Sequence, residues 1–462
     1  YHHRFNTNFS FAILIDNFME IFHPESATVL TGTFKAKDFW GIGTILSFFI
    51  ILQIRYKAFS KGYSTFHRKK LVPALILIYS LIITRNFFIY DQLGLFAQTI
   101  FRYYVPVSFK SHLYDQLDQK PYPFVRTVDQ KGKLPKKPHI IILALESFAG
   151  NLIHKSDKQE NFYTPNFNQL SKQGLYFKHF FGNSIQTAKG HFALLCGMIP
   201  LLRGKAFYLG EENQFNCLPN VLKQQGYFNA FYQGYNAFNF DNTRTFLERN
   251  GFDRFISYNK ELLTPAQRKK NIWGWGLQDN YSYRQFFQDM DRQHQAEPNR
   301  PLFTFIATIS HHMRFDQVPP HQRFLYPEPS GPFELFANSL RTSDEYLKTF
   351  IKEVQKRSYL KDAVIFITAD HSFPAGEHGN YQSETGHYNE SFHIPLLILG
   401  LNSFKNQFKL DQYYSQLDIA PTILDLVGYQ GSIHFLGKSL FNSQTRSIPL
   451  VQPYDGTRAG MI

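Results

Sequence analysis

The chain has 462 residues, more than one ordinary domain needs, with a formal net charge of +13 and 17 % aromatic side chains, dominated by 49 Phe and 27 Tyr. No Lys/Arg-rich helix or aromatic RNA-binding signature accompanies the charge, which disfavours nucleic acid and leaves anionic lipid or an anionic substrate as the partner. Two cysteines, Cys196 and Cys217, exclude a disulfide framework, although one bridge between them stays open in an oxidising compartment.

The sequence opens on Tyr1 rather than Met, and its natural start is expected to be missing. Phe9–Phe22 is apolar but broken by Asp16 and Glu20. Phe39–Ile54 runs without a charge into Arg55, Lys57 and Lys61, and Leu71–Thr84 lies between Arg68-Lys69-Lys70 and Arg85. A bilayer core of ~30 Å asks for roughly 20 apolar residues, so each run is marginal alone. The basic stretch from Arg55 to Lys70 belongs in the cytoplasm by the positive-inside rule, which puts whatever follows Tyr90 outside. Buried helices of a soluble domain are the competing reading. Asp91–Lys120 reads as an amphipathic connector with interfacial aromatics, and Lys120–Lys137, rich in Pro, Gly and Lys, as a linker. The expected organisation is a membrane anchor over 1–112, a linker over 113–137, an α/β domain over 138–445 and a tail over 446–462.

Within that domain, apolar runs without alternation predict strands buried on both faces at His139–Leu145, Leu302–Ile309, Ala363–Ala369 and Ile394–Leu399. Another strand is expected over 226–232. Helical patterns fall at Thr164–Gln173, which opens on Thr-Pro, at Cys217–Gln225, closed by Gly226, and at Asp344–Gln355. This βαβ rhythm predicts a mostly parallel sheet sandwiched by helices.

In such sheets chemistry gathers beyond the carboxyl ends of the strands. Three of those ends carry polar groups: Glu146 after the first strand, Ser310-His311-His312 after the third, and Asp370-His371 after 363–369. Carboxylates and an imidazole are ligands for a divalent ion, and three of them leave an open position. The bland alternative for Asp370-His371 is a loop cap beside an incidental histidine. Thr187, in Gly182–Gly190 (GNSIQTAKG), precedes a helix-like apolar run. A Thr there is normally a cap; its hydroxyl becomes a nucleophile only if a base or a metal lowers its pKa. A helix N-terminus also stabilises an incoming anion.

These pieces, in this order, resemble the sulfatase and alkaline phosphatase superfamily, and within it the membrane-bound branch of lipoteichoic acid synthases and related phosphoglycerol transferases. Further segments carry the resemblance: Trp273–Asp279 (WGWGLQD), Glu390–Pro395 (ESFHIP), Gln416–Gly428 (QLDIAPTILDLVG) and Gly437–Phe441 (GKSLF). It implies an alkaline phosphatase/sulfatase-like fold preceded by transmembrane helices, with metal ligands at Glu146, Thr187, Asp370 and His371, the nucleophile at Thr187 and a substrate-binding histidine at His312. The ion it implies is Mn²⁺, with Zn²⁺ or Mg²⁺ as alternatives. The Cys/Ser-x-Pro-x-Arg motif of formylglycine sulfatases is absent around Thr187, and Cys196 reads as a core residue. The synthases add a His, a Trp and an Arg to a glycerol-phosphate pocket; the stretch Tyr232–Arg244 offers Arg244 but no Trp or His. His387 matches a histidine of ethanolamine-phosphate transferases, while His378 reads equally as a solvated loop residue. The activity implied is transfer of a phospho-head group from an anionic membrane lipid, through a Thr187 ester, to a glycan or lipid acceptor outside the cytoplasmic membrane. A phosphodiesterase or sulfate-ester hydrolase, a phosphoethanolamine transferase and a non-catalytic binding module are the alternatives.

Overall fold

The computed structural model describes residues 125–129, 132–134 and 136–462, apart from 203, 210–214, 236–237, 239, 258–262, 274, 382–387, 443–446 and 454–457. The apolar runs before residue 125 lie outside these residues; among the described residues no helix is long and apolar enough to cross a membrane.

In chain order the elements are β1 (Arg126–Asp129), β2 (Ile140–Leu145), α1 (Pro165–Leu170), β3 (Leu175–Phe181), α2 (Thr187–Cys196), α3 (Ala206–Leu209), α4 (Leu218–Gln224), β4 (Phe228–Gln233), α5 (Thr243–Arg249), β5 (Arg254–Ser257), α6 (Pro265–Asn271), β6 (Ile272–Trp273), β7 (Gly276–Leu277), α7 (Asp279–Ala296), β8 (Leu302–Ala307), α8 (Pro332–Gln355), β9 (Val364–Ala369), β10 (His393–Leu399), β11 (Tyr413–Ser415), α9 (Ile419–Val427), β12 (Gln430–Ile433), β13 (Pro449–Gln452) and β14 (Arg458–Met461). Eight strands form the central sheet in the order β11-β3-β10-β9-β2-β8-β4-β5.

Seven of these strands share one direction. Only β10 is reversed, pairing antiparallel with both β3 and β9. Every residue of β2, β8 and β9 is buried, as expected for strands covered by helices on both faces. At roughly 1.5–3 kcal/mol per buried large aliphatic or aromatic side chain, these three strands dominate the core. The polar groups at their ends can therefore be strained or under-satisfied without loss of the fold.

The four predicted buried strands form, with ends shifted by one or two residues. The strand β3 carries no continuous apolar run: Lys178 is exposed and His179 half-buried, because only the short edge strand β11 lies beyond it. Pro395, within β10, coincides with a register shift between Ile394 and Leu396, as expected for a residue that cannot donate to a ladder. The stretch read as a linker contributes β1, paired antiparallel with β12. Beyond 445, β13 and β14 pair with each other, and the Val451 N–H donates to the Asn183 carbonyl at 2.9 Å, four residues before Thr187.

Candidate active site

The parallel pairing of β2 with β9 aligns Leu145 with Ala369, so the next residues, Glu146 and Asp370, leave the sheet side by side. The Glu146 N–H donates to Thr308 Oγ1 (2.8 Å) just past β8, which fixes the β2 end from its other neighbour. Ser147 adopts a left-handed backbone (φ 52°), an uncommon state for a non-glycine residue. Its N–H donates to Asp370 Oδ1 (3.0 Å) and its hydroxyl to Glu146 Oε1 (2.8 Å), so this turn ties the two carboxylates together. Asp370 Oδ1 also accepts the His371 N–H (2.7 Å), whereas the buried Oδ2 has no hydrogen-bond partner.

His371 Nδ1 lies 2.9 Å from the Ser372 carbonyl. A carbonyl can only accept, so Nδ1 carries a proton and Nε2 is the nitrogen turned to the site. That nitrogen stands 3.6 Å from Glu146 Oε1, 3.5 Å from Asp370 Oδ2 and 3.5 Å from Thr187 Oγ1. Ligands at the corners of a tetrahedron with bonds of about 2.1 Å stand about 3.4 Å apart. One ligand atom from each of Glu146, Asp370 and His371 lies within 4.8 Å of the others, and all three residues are buried. The Asp370 oxygen without a hydrogen-bond partner among the described residues, the imidazole nitrogen beside it and these spacings fit a divalent cation.

Thr187 is the first residue of α2; Gln186 occupies the cap position, and no side chain caps the helix. The capping reading of Thr187 therefore gives way to a hydroxyl directed at His371. Helix α2 reaches the strand ends because Gly190 lies against Asp370: a Cβ there would stand 2.0 Å from the Asp370 carbonyl oxygen. At its other end Gly197, left-handed at φ 57°, closes the helix. Cys196, in the last turn, is disulfide-bonded to Cys217 at the cap of α4. The cysteine read as a core residue is buried and also bridged, a pairing that the spacing alone left undecided.

Electrostatics sharpen the picture. Burial, and then the neighbouring Asp370, push the Glu146 carboxyl well above the usual range. Burial raises Asp370 as well, but His371, His191 and the N–H groups of Ser147 and His371 outweigh it and hold that carboxyl below its usual range. Two adjacent buried carboxylates without a cation thus keep one proton between them. Binding a divalent ion would release it.

His312 is also held at the site. Its Nδ1 lies 2.8 Å from the Met313 carbonyl, which leaves Nε2 as the lone-pair nitrogen, and burial pushes its pKa down to about 4. Its ring packs on Trp275 with centroids 4.8 Å apart. The loop carrying it is clamped by Asp279, at the start of α7, whose oxygens accept the N–H groups of Ile309 (2.9 Å) and Ser310 (3.2 Å). Trp273–Asp279 is therefore a cradle for the His312 loop, and Trp275 also meets Tyr235 and Phe240 from the stretch that lacks its own Trp. Arg244 is exposed on α5 with its guanidinium 5.9 Å from the Phe255 ring, and no described contact joins it to the four clustered residues. His378 pairs with the buried Glu390 (2.9 Å) and stacks on Tyr388. His387 lies outside the described residues.

Sequence reasoning did not assign Ser147, Gly190, Thr308 or Gln416. Gln416, fully buried, donates to the carbonyls of Ala369 (3.0 Å) and Asp370 (2.6 Å) and accepts the Asn183 N–H (3.1 Å). It joins the β9 end to the loop that leads into Thr187. Its motif gave a signal only as part of a resemblance.

A family model described as Sulfatase matches residues 138–429, more than half of the chain. The lipoteichoic acid synthase of Staphylococcus aureus is 28 % identical over 330 residues, 66 % of this chain and 48 % of that protein. The lipoteichoic acid synthase-like protein YvgJ of Bacillus subtilis is 24 % identical over 329 residues, 68 % of this chain and 52 % of that protein. This chain thus spans about half the length of the curated relatives it matches. The crystal structure of the lipoteichoic acid synthase LtaP from Listeria monocytogenes superposes with a TM-score of 0.59 at 19 % identity, covering 71 % of this chain and 82 % of that one, and so shares the fold. The chain belongs to the sulfatase family, and it is similar to lipoteichoic acid synthases.

Proposed function

We propose that the chain transfers a phospho-head group from an anionic membrane phospholipid, through an ester on Thr187, to a glycan or lipid acceptor outside the cytoplasmic membrane. The observation that carries the reading is the 3.5 Å approach of Thr187 Oγ1 to His371 Nε2, within the Glu146–Asp370–His371 set. A divalent ion held by these three would lower the pKa of the Thr187 hydroxyl and offset charge on the phosphoryl group. Mn²⁺ is the ion implied by resemblance, and the near-tetrahedral spacing suits Zn²⁺ as well.

Thr187 Oγ attacks phosphorus, its proton leaving to solvent. The bond to the diacylglycerol oxygen breaks, and that oxygen leaves with the electron pair and takes up a proton. The first turn of α2 directs free N–H groups toward the transferred anion. In the second step an acceptor hydroxyl loses its proton and attacks the same phosphorus, and the bond to Thr187 Oγ breaks, that oxygen leaving with the electron pair and taking up a proton. His312 is the candidate substrate-binding histidine: with Nδ1 turned to the Met313 carbonyl, its Nε2 is the nitrogen left to meet the substrate. Arg244 and His387 remain candidates for the head-group pocket.

Incubating the chain with phosphatidylglycerol labelled in its head group, and weighing the intact protein, tests the covalent step. A mass gain of one phosphoglycerol on the parent chain, absent from Thr187→Ala, is the expected result; label released with no adduct in either would overturn it. Label that passes only to water, never to an added glycolipid, would assign the hydrolase reading instead.

A further inference from the structure

Nine large apolar side chains are exposed among the described residues, and three of them fall within four consecutive positions: Ile199 (39 % exposed), Leu201 (46 %) and Leu202 (41 %). The other six are scattered along the chain, as on any soluble surface. Pro200, between them, is buried and anchors the turn. The segment follows the end of α2 and then doubles back. Lys189, two residues after Thr187 and fully buried, extends its ammonium to the carbonyls of Leu201 and Gly204, the latter at 2.8 Å. Lys205, at the end of the segment, pairs with Asp241 and lies 5.1 Å from the centre of the Phe240 ring, which meets Trp275 beside His312, so the segment that carries the exposed leucines leads into the wall of the site.

We propose that Ile199–Leu202 dips into the surface of an anionic lipid bilayer and so presents the lipid head group to Thr187. The inference rests on the lipid-donor reading and names the surface through which that donor is met. Three features favour a bilayer over a protein partner. The Leu201 and Gly204 carbonyls are already satisfied by Lys189, so the loop can leave water without orphaning those groups. The chain carries a net charge of +13, which matches an anionic surface. The same chain carries the charge-free apolar runs Phe39–Ile54 and Leu71–Thr84, which suit lipid.

The test uses the 462-residue chain reconstituted with vesicles of phosphatidylglycerol and phosphatidylcholine. A photo-crosslinking residue is introduced at Leu202, and a control at Asn299, which is exposed ahead of β8 at the opposite edge of the sheet from the site. A phospholipid adduct at 202 and none at 299 is expected whether or not the chain turns lipid over. Crosslinks at 202 only to the chain's own N-terminal segment, or equal labelling at the two positions, would overturn the proposal. In parallel, Leu201→Asp/Leu202→Asp is expected to lower head-group release from the vesicles about tenfold or more, given the apolar area withdrawn. Hydrolysis of a water-soluble nitrophenyl phosphodiester should stay within about twofold. Equal loss on both substrates would mean that the loop only supports the fold. A parent chain inactive on both would count against the transferase reading, while the crosslinking result would still decide whether the loop meets lipid.

Discussion

Gly190→Ala is the sharpest single test of how this site is assembled. An alanine Cβ at 190 would stand 2.0 Å from the Asp370 carbonyl oxygen, 2.8 Å from its carbon and 3.2 Å from its Cα, where ordinary contact begins at 3.4 Å. All three atoms are backbone, so no side chain can swing away. The helix and the strand end must separate by up to about 1.4 Å, the difference between 3.4 and 2.0 Å. In an isolated helix the same change would stabilise by ~1 kcal/mol, but overpacking against a rigid partner costs ~1–3 kcal/mol and here outweighs it. The consequence for chemistry is larger. Thr187 stands three residues earlier on the same helix, already 3.5 Å from His371 Nε2, and a misplacement of about 1 Å costs on the order of 10²-fold in rate. Expected, then, is a chain that still melts cooperatively, at a lower temperature, still binds a divalent ion through Glu146, Asp370 and His371, and turns over head group ~100-fold more slowly. Phosphate-ester turnover, thermal melting and bound-metal analysis on one preparation measure all three. Activity within about threefold of the parent would refute the claim that backbone contact at Gly190 sets the nucleophile's reach.

Thr187→Ala should retain bound metal and the fold while losing turnover by about 10³-fold or more, so metal analysis beside a rate assay separates nucleophile from ligand. Gln416→Leu would strip hydrogen bonds from the Ala369 and Asp370 carbonyls and the Asn183 N–H; with each buried orphan costing ~1–3 kcal/mol, a clear drop in urea midpoint is expected, and an unchanged one would remove Gln416 from the scaffold. Burial holds His311 near pKa 3 and His139 near 4, both well below the usual 6.5. Because the folded values lie below the unfolded one, the unfolded chain gains protons first. Stability is complete above about pH 6.5 and falls as pH drops toward 4, by up to ~1.4 kcal/mol per pH unit for the fully buried His311. Urea midpoints at pH 7 and pH 5 measure this, and His311→Phe should flatten the slope. Reducing Cys196–Cys217, which closes a 21-residue separation, should destabilise by ~3 kcal/mol, read as a lower melting temperature in reductant.

The strand-borne half of the site was legible in the sequence for a physical reason. Continuous apolar runs force strands into a doubly covered sheet, and the first polar residues after each run leave at the carboxyl edge, where Glu146, Ser310-His311-His312 and Asp370-His371 stand; the choice of His312 over His311 came from the resemblance. Thr187 was legible as a helix start, and the nucleophilic role proposed for it came only from the resemblance, because caps and nucleophiles share residue type and position. What stayed hidden depends on partners remote in sequence. Gly190 is one glycine in an apolar helix until Asp370, 180 residues later, comes to lie against it. Gln416 has no local pattern, since all three of its partners belong to other elements. Trp275 read as a piece of motif, yet it supplies an indole to the wall formed by Tyr235 and Phe240, whose own stretch holds no Trp. The His378–Glu390 pair stands on a loop with no periodicity to betray it.

The contacts around α2 converge on one quantity. Gly190 sets how closely the helix meets Asp370, Gln416 fixes the loop before it to the same Asp370 carbonyl, and the Val451 N–H holds Asn183 from the far side. Lys189 secures the returning loop, and the Cys196–Cys217 bridge anchors the helix end. All of these act on the separation between a helix-borne hydroxyl and strand-borne ligands. The candidate ligand set itself is held by adjacent parallel strands and needs no such help. A fold built this way can exchange head-group and acceptor pockets, in the loops around Trp275 and Tyr235, without disturbing the distance on which nucleophilic attack depends. Substrate choice in this chain is therefore expected to change with substitutions at Trp275 or Arg244 that leave Thr187 modification by a soluble phosphodiester intact, whereas no substitution at Gly190 should alter choice without slowing both substrates alike.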